Sequence, residues 1–322
     1  MDSPFPGSPL LHVVHDPGYD CPLPAGHPFP MAKFTHLRRQ LENAGGACFH
    51  APRSATSRQL ESSHAAAYLE ALATGTLDAK AQRRAGFLCT PELFARCALE
   101  TGGTCRTVEL ALVHGLACNA AGGTHHAHFD FASGYCLLND LAVAVHHARE
   151  LGVRRVLILD CDVHQGDGTA RLLHDDRDAF TVSMHCAQNF PSRKAASDCD
   201  IGLPRETGDG AYLQALHAHV PHLLDRFQPE LVLYDAGVDV HRDDRLGHFL
   251  LSDAGLYRRD AAVIEMVRER EVPLACVIGG GYDRDIAALA ARHALLFAAA
   301  RDALAGRSEP VFAAAQPSGD AA

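Results

Sequence analysis

The run VLILDCDVHQGDGT (156–169) carries an aliphatic stretch into Asp160, Asp162, His164 and Asp167. A buried carboxylate without counter-charge is costly, so the pattern calls for water or a cation among these acids. In an extended chain alternate residues share a face, which groups Asp160, Asp162 and His164 and turns Cys161 and Val163 the other way. Carboxylate and imidazole together are ligands for zinc or a similar divalent ion. Gly166 and Gly168 allow a tight turn, and a helix can open at Asp167. A third ligand must come from elsewhere, and LVLYDAGVDVHRDDRLG (231–247) offers Asp235 and Asp239. Asp162, His164 and Asp239 would give three protein ligands and one position open to water, the arrangement of a catalytic metal rather than a structural one. Asp243 and Asp244 read as turn or surface acids, one of which braces the loop.

Two other stretches carry chemistry. AGGTHHAHFDFASGYCLLND (121–140) holds His125 and His126. Adjacent histidines diverge on a regular element, so both reach one site only from a loop, which the preceding glycines permit. Beside a metal they become acid–base candidates, with Asp160 and Asp167 available to fix their tautomers as two His–Asp dyads. His128 is assigned to structure. VIGGGYD (277–283) places three glycines before Tyr282, whose hydroxyl can donate to a developing oxyanion. A phosphate cradle is the rival reading of such a turn, but neither GxGxxG nor GxxxxGK[ST] follows.

Four apolar runs position these groups: RVLILD (155–160), AFTVSMH (179–185), LVLYDAG (231–237) and LACVIGGG (274–281). Helical patterns lie between them, in GTARLLHDD, AYLQALHAHVPHLLDRF and DAAVIEMVRERE. Near-continuous apolar strands alternating with amphipathic helices predict an α/β fold, a mainly parallel central sheet with helices on both faces. Ligands then bind beyond the carboxyl ends of the strands, where all four runs terminate. The first half reads as more helical, with MAKFTHLRRQLENAG, SSHAAAYLEALATG and TPELFARCALETGGTCRTVELALVHGL; Gly102 and Gly103 mark a break or a close approach in the last. Residues 191–210 are polar and turn-rich and read as a functional surface loop. One domain is expected over 10–305, with loosely ordered ends at 1–9 and 306–322.

The 322 residues are 47% hydrophobic and 21% charged, a globular composition with a sizeable core. The net charge of −10 argues against a nucleic-acid partner, whose binding surface is basic. Eleven cysteines lie without a CxxC pair in a long, core-rich chain, which predicts free thiols and the cytoplasm. Neither a signal peptide nor a membrane-spanning run is expected; IAALAARHALLFAAA is interrupted by Arg292 and His293. A cysteine hydrolase would need a base positioned beside Cys136 or Cys161, and the sequence offers none.

In their order, HH, SGYCLLND, DxDxHxGDGT, AGVD and GGGY resemble the zinc-dependent histone deacetylase superfamily, also called the arginase–deacetylase fold. HPFPMAKFTHLRRQL, SMHCAQNFP and AGVDVHRDDRLG resemble its smaller bacterial and class IV-like branch. The likeness runs from about residue 10 to about residue 300. It implies that Asp162, His164 and Asp239 bind zinc, with Fe²⁺ or Co²⁺ compatible with the same donors. It implies His126 as general base, His125 as electrostatic assistant, Asp160 and Asp167 as their braces, and Tyr282 as the group that polarises the acyl carbonyl. Gly134 would accept the substrate amide N–H. Tyr135 and Phe190 would wall the substrate tunnel, with Gly280 and Gly281 alongside. A potassium ion would sit near the zinc, held by Asp160, Ser183, Met184 and the backbone of Asp162 and His164. Lys33 matches a basic residue of an inner pocket, and Asp78 is the candidate for a rim aspartate that grips substrate backbone.

The activity so implied is hydrolysis of acyl-lysine in a peptide or protein by metal-activated water. An acylated polyamine is the alternative substrate. A two-manganese ureohydrolase of the same fold is disfavoured, because it needs a DxDxxDP-like run where residues 235–239 read DAGVD. An inactive acyl-lysine reader should have lost a ligand, a histidine or the tyrosine, and all are present.

Overall fold

Eight short strands, all paired in parallel, make one sheet: β1 (Leu11–Val14), β2 (Ala47–His50), β3 (Leu116–Asn119), β4 (Val156–Asp160), β5 (Ala179–Cys186), β6 (Cys199–Leu203), β7 (Leu231–Asp235) and β8 (Leu274–Val277). Their order across the sheet is β2-β1-β3-β8-β7-β4-β5-β6. The computed structural model describes residues 10–307; of the ends expected to be loosely ordered, all but 306 and 307 lie outside the described residues.

Alternation along β4 shows how the sheet divides two cores. Val156 and Ile158 pack on one side with Leu231, Leu233, Ala275 and Val277. Leu157 and Leu159 pack on the other with Val232, Tyr234, Leu274 and Cys276. Burial on both faces is the reason these strands are apolar throughout.

The helices among the described residues are α1 (Lys33–Ala44), α2 (Ser57–Glu61), α3 (Ala66–Ala73), α4 (Ala79–Ala85), α5 (Pro91–His114), α6 (Asp140–Glu150), α7 (Asp167–Leu172), α8 (Asp209–Phe227), α9 (Asp253–Arg268) and α10 (Ile286–Leu304). α1, α8, α9 and α10 cover one face; α6 and the second half of α5 cover the other. The expected α/β sandwich is therefore the observed fold.

α5 runs unbroken through Gly102 and Gly103. A Cβ on Gly102 would fall 1.8 Å from the Arg53 carbonyl, and one on Gly103 1.9 Å from the Tyr19 hydroxyl. Close approach, not a break, explains the pair. Pro91 and the Thr90 cap, which accepts from Leu93 N, start this helix; Gly115 at φ 81° ends it.

Three expectations are corrected. The helical first half also holds β1, β2 and β3, each four residues long. The loop at 191–210 contains β6, an edge strand with only Ile201 buried. And β4 stops at Asp160, so Asp162 and His164 stand on the loop beyond it rather than on an alternating strand.

Candidate active site

The loops after β4, β7 and β8 fold over the carboxyl edge of the sheet and bring Asp162, His164 and Asp239 together. One ligand-type atom from each lies within 4.8 Å of the others, and all three residues are buried. His164 Nδ1 is 3.0 Å from Asp162 Oδ1 and 3.1 Å from Asp239 Oδ2. Backbone N–H groups aim the carboxylates: Val163 N donates to Asp239 Oδ1 at 2.8 Å and Gly280 N to Asp162 Oδ2 at 2.8 Å. Asp239 Oδ2 is buried and, despite its 3.1 Å approach to His164 Nδ1, has no hydrogen bond. A Cβ on Gly280 would come within 2.5 Å of Oδ2 of both Asp162 and Asp239, so only glycine leaves these oxygens clear.

The electrostatics show why a cation suits this cluster. Burial and the adjacent Asp162 push the Asp239 carboxyl up to about 7, against the pull of His164. Burial opposes charge on His164 too, but the adjacent carboxylates of Asp162 and Asp239 raise it to about 10. Burial would also raise Asp162; the charge on His125 and the bond from His164 outweigh it and hold this carboxyl well below its usual range. Two buried carboxylates thus compete for one imidazole proton. A divalent ion at the same point satisfies both, and the orphaned Asp239 oxygen with the clear space at Gly280 fits one.

His125 and His126 come from the loop after β3, and each holds its own carboxylate. His125 Nδ1 is 2.7 Å from Asp160 Oδ2, and His126 Nδ1 is 2.8 Å from Asp167 Oδ1. A carboxylate only accepts, so Nδ1 carries the hydrogen in both rings and the Nε2 lone pair of a neutral His126 is free. Burial disfavours charge on His125, but Asp160 and Asp162 outweigh it and hold the ring cationic. Burial, then the neighbouring His125, drive His126 down to about 3 and keep it neutral.

Three further residues join the site. His128 Nε2 reaches Asp167 Oδ2 at 3.2 Å, so it shares the brace of His126. Asp235 is fully buried between these groups, 3.9 Å from His125 Nδ1, with neither oxygen hydrogen-bonded. Asp244 accepts from Tyr282 N at 2.6 Å and from Leu246 N and Gly247 N, which makes it the loop brace expected of either Asp243 or Asp244. The sequence assigns His128 to structure and offers Asp235 only as an alternative third ligand, because the role of each is defined by a partner on another element.

Outside the cluster, a cavity of about 630 Å³ opens to the surface. Its walls include His126, Gly134, Tyr135, His164, Phe190 and Tyr282. Phe190 meets the His126 ring edge-on at 4.8 Å, and the Tyr135 and Tyr282 rings lie 5.7 Å apart. Tyr135 takes φ 64°, a left-handed conformation, with its N–H donated to Ala85 O at 3.0 Å. The rim carries Arg83, Arg84 and Arg245 with His248, and no carboxylate is among its lining residues. Gly281 packs instead against Val238 and His293.

Asp78 is not at this mouth: its carboxylate caps α4, accepting from Lys80 N and Ala81 N. Lys33 is buried at a small inner cavity of about 30 Å³ shared with Arg96, Glu100, Gly279 and Tyr282. Ser183 and Met184 are buried on β5, and Ser183 is the register partner of Asp160.

Comparison with known proteins places the chain. Residues 27–298 match the histone deacetylase domain. An uncharacterized protein of Picosynechococcus sp. is 48% identical, over 90% of this chain and 98% of its own. Histone deacetylase 2 of Arabidopsis thaliana is 30% identical, over 84% of this chain and 74% of its own. The crystal structure of an HDAC homolog complexed with SAHA superposes with a TM-score of 0.78 at 24% identity, covering 94% of this chain and 85% of that one. With that domain matched across most of its length, on an eight-stranded parallel sheet, this chain belongs to the histone deacetylase family.

Proposed function

We propose that residues 10–305 form one catalytic domain that hydrolyses the amide between an acyl group and the side-chain amine of lysine in a peptide or protein. The convergence of Asp162, His164 and Asp239 beneath a cavity walled by His126 and Tyr282 carries this reading. The relative named histone deacetylase 2 and the SAHA complex of a like-folded HDAC homolog support it. The donor set suits Zn²⁺, with Fe²⁺ and Co²⁺ compatible. When bound, such an ion supplies Lewis acidity to the acyl carbonyl and acidifies water.

The chain's own residues do the rest. His126 Nε2 takes the proton of the attacking water, because Asp167 pins its hydrogen on Nδ1. Tyr282, whose burial pushes its hydroxyl well above the usual range, keeps its proton and donates a hydrogen bond to the developing oxyanion. His125, held cationic by Asp160, adds positive charge and can protonate the leaving amine. Gly134 O receives the substrate amide N–H, and Tyr135 and Phe190 flank the aliphatic stem. A potassium ion at Asp160, Ser183, Met184 and the backbone of Asp162 and His164 belongs to the same proposal. What supports it is Asp235, pushed well above its usual range by burial and by Asp160, so that a proton or a cation must offset it. Eleven free cysteines suit a reducing compartment, the cytoplasm.

The polyamine alternative is disfavoured by the rim. A polycation would meet Arg83, Arg84 and Arg245 with no carboxylate to receive it. The test is a panel of acyl-lysine peptides beside acetylspermidine, with and without chelator. Chelator-sensitive turnover of the peptides, faster than of acetylspermidine, is expected. Preference for acetylspermidine would establish the polyamine reading, and binding without turnover would establish an inactive reader.

A further inference from the structure

At the far edge of the sheet, three potential ligands meet that the proposed reaction does not use. His12 on β1 is the register partner of Cys48 on β2, and Val14 that of His50, so alternation puts all three polar side chains on one face. His12 Nδ1 is 2.8 Å from His50 Nε2, and one ligand-type atom from each of His12, Cys48 and His50 lies within 4.8 Å of the others. A third imidazole, His114 at the end of α5, stacks on His12 with centroids 3.6 Å apart. His12 is 8% exposed, and its Nε2 is buried with no hydrogen-bond partner. The other nitrogen can only share one proton with His50, so a buried ring is left half satisfied.

We infer that His12, Cys48 and His50 form a second metal site, for a borderline-soft divalent ion such as Zn²⁺, with His114 fixing the ring of His12. Thiolate plus imidazole is the donor set that zinc prefers. Tetrahedral bonds of about 2.0–2.1 Å hold two nitrogens roughly 3.3 Å apart, so the His12–His50 contact need open by only about half an ångström. On binding, Cys48 gives its thiol proton to solvent, and the proton between the two rings moves to the outer nitrogen of the ring that carries it, so both facing nitrogens bind as neutral imidazole. The nearby guanidinium of Arg106 is offset by Glu109 at 2.6 Å. The fourth position falls to solvent or to His114. Such an ion would tie the edge strand β2 to β1.

Co²⁺ added to the chelator-stripped full chain tests this, because the catalytic candidates offer no sulfur. A near-ultraviolet thiolate-to-cobalt band is expected, lost in Cys48→Ser and His50→Gln but kept in Asp239→Asn. In the wild-type chain, Zn²⁺ should slow alkylation of Cys48 at least tenfold, read by peptide mass, while half-buried Cys21 and Cys199 label unchanged. A band that persists in Cys48→Ser, or Cys48 labelling indifferent to Zn²⁺, overturns the inference whether or not the variants fold.

Discussion

The imidazoles of His125 and His126 lie 4.1 Å apart, centre to centre, and hold opposite protonation states. Three carboxylates within 3.9 Å surround His125 and keep it charged. That charge, with burial, keeps His126 neutral. Two like residues with environments that push them apart are the arrangement that assigns one to acid and one to base. His126→Ala should lower kcat by ~10²–10⁴, the usual worth of a positioned acid–base group. Steady-state kinetics at neutral pH check this; a kcat within threefold of wild type would remove His126 as the base.

On the proposed reading, Tyr282 acts through its hydroxyl alone. Its ring stays in the wall beside Tyr135 in either case, so Tyr282→Phe should lower kcat by ~10²–10³ with KM little changed. Unaltered metal content, measured alongside, separates a lost donor from a lost ion. A variant as fast as wild type would contradict the assignment.

The rim arginines should set sequence preference rather than chemistry. Replacing exposed Arg83 and Arg245 with glutamate should weaken kcat/KM for peptides with acidic flanks about tenfold and improve it for acetylspermidine. Both changes should shrink in high salt, because exposed charges are screened. Identical specificity in wild type and double variant would rule the rim out.

The legible part of the fold is its centre. RVLILD, AFTVSMH, LVLYDAG and LACVIGGG became β4, β5, β7 and β8, four neighbours in the sheet. Burial on both faces writes an apolar signal there. Toward the edges the signal fails: β1 and β2 carry His12, Cys48 and His50, β3 ends on Asn119, and β6 contains Asp200 and Gly202. The Asp162, His164 and Asp239 cluster was legible because loop residues next to buried strands concentrate Asp and His at short spacing. His128 and Asp235 were not, since what each does depends on a carboxylate supplied from another element.

Acid should loosen the loop that carries the histidines. His64 is buried beneath it, with Nδ1 donating to His128 O at 2.9 Å and Nε2 accepting from Asn139 N at 2.9 Å. Burial lowers its pKa to about 4. The unfolded chain, at 6.5, takes up a proton that the folded chain refuses. Stability is therefore full above pH 6.5 and falls as pH drops toward 4, by up to about 3 kcal/mol from this group. His64→Gln can keep a donor and an acceptor without titrating, so its Tm should fall less steeply between pH 7 and 4.5. A slope equal to wild type would contradict the role given to His64.

Anomalous X-ray scattering at the zinc edge, from crystals of the zinc-loaded chain, tests the central claim most directly. Beside any peak at His12, Cys48 and His50, a peak is predicted where the loops after β4 and β7 meet, about 2.0–2.2 Å from carboxylate oxygens of Asp162 and Asp239 and from a ring nitrogen of His164. A zinc-loaded, active crystal with no peak among those three residues would contradict the account.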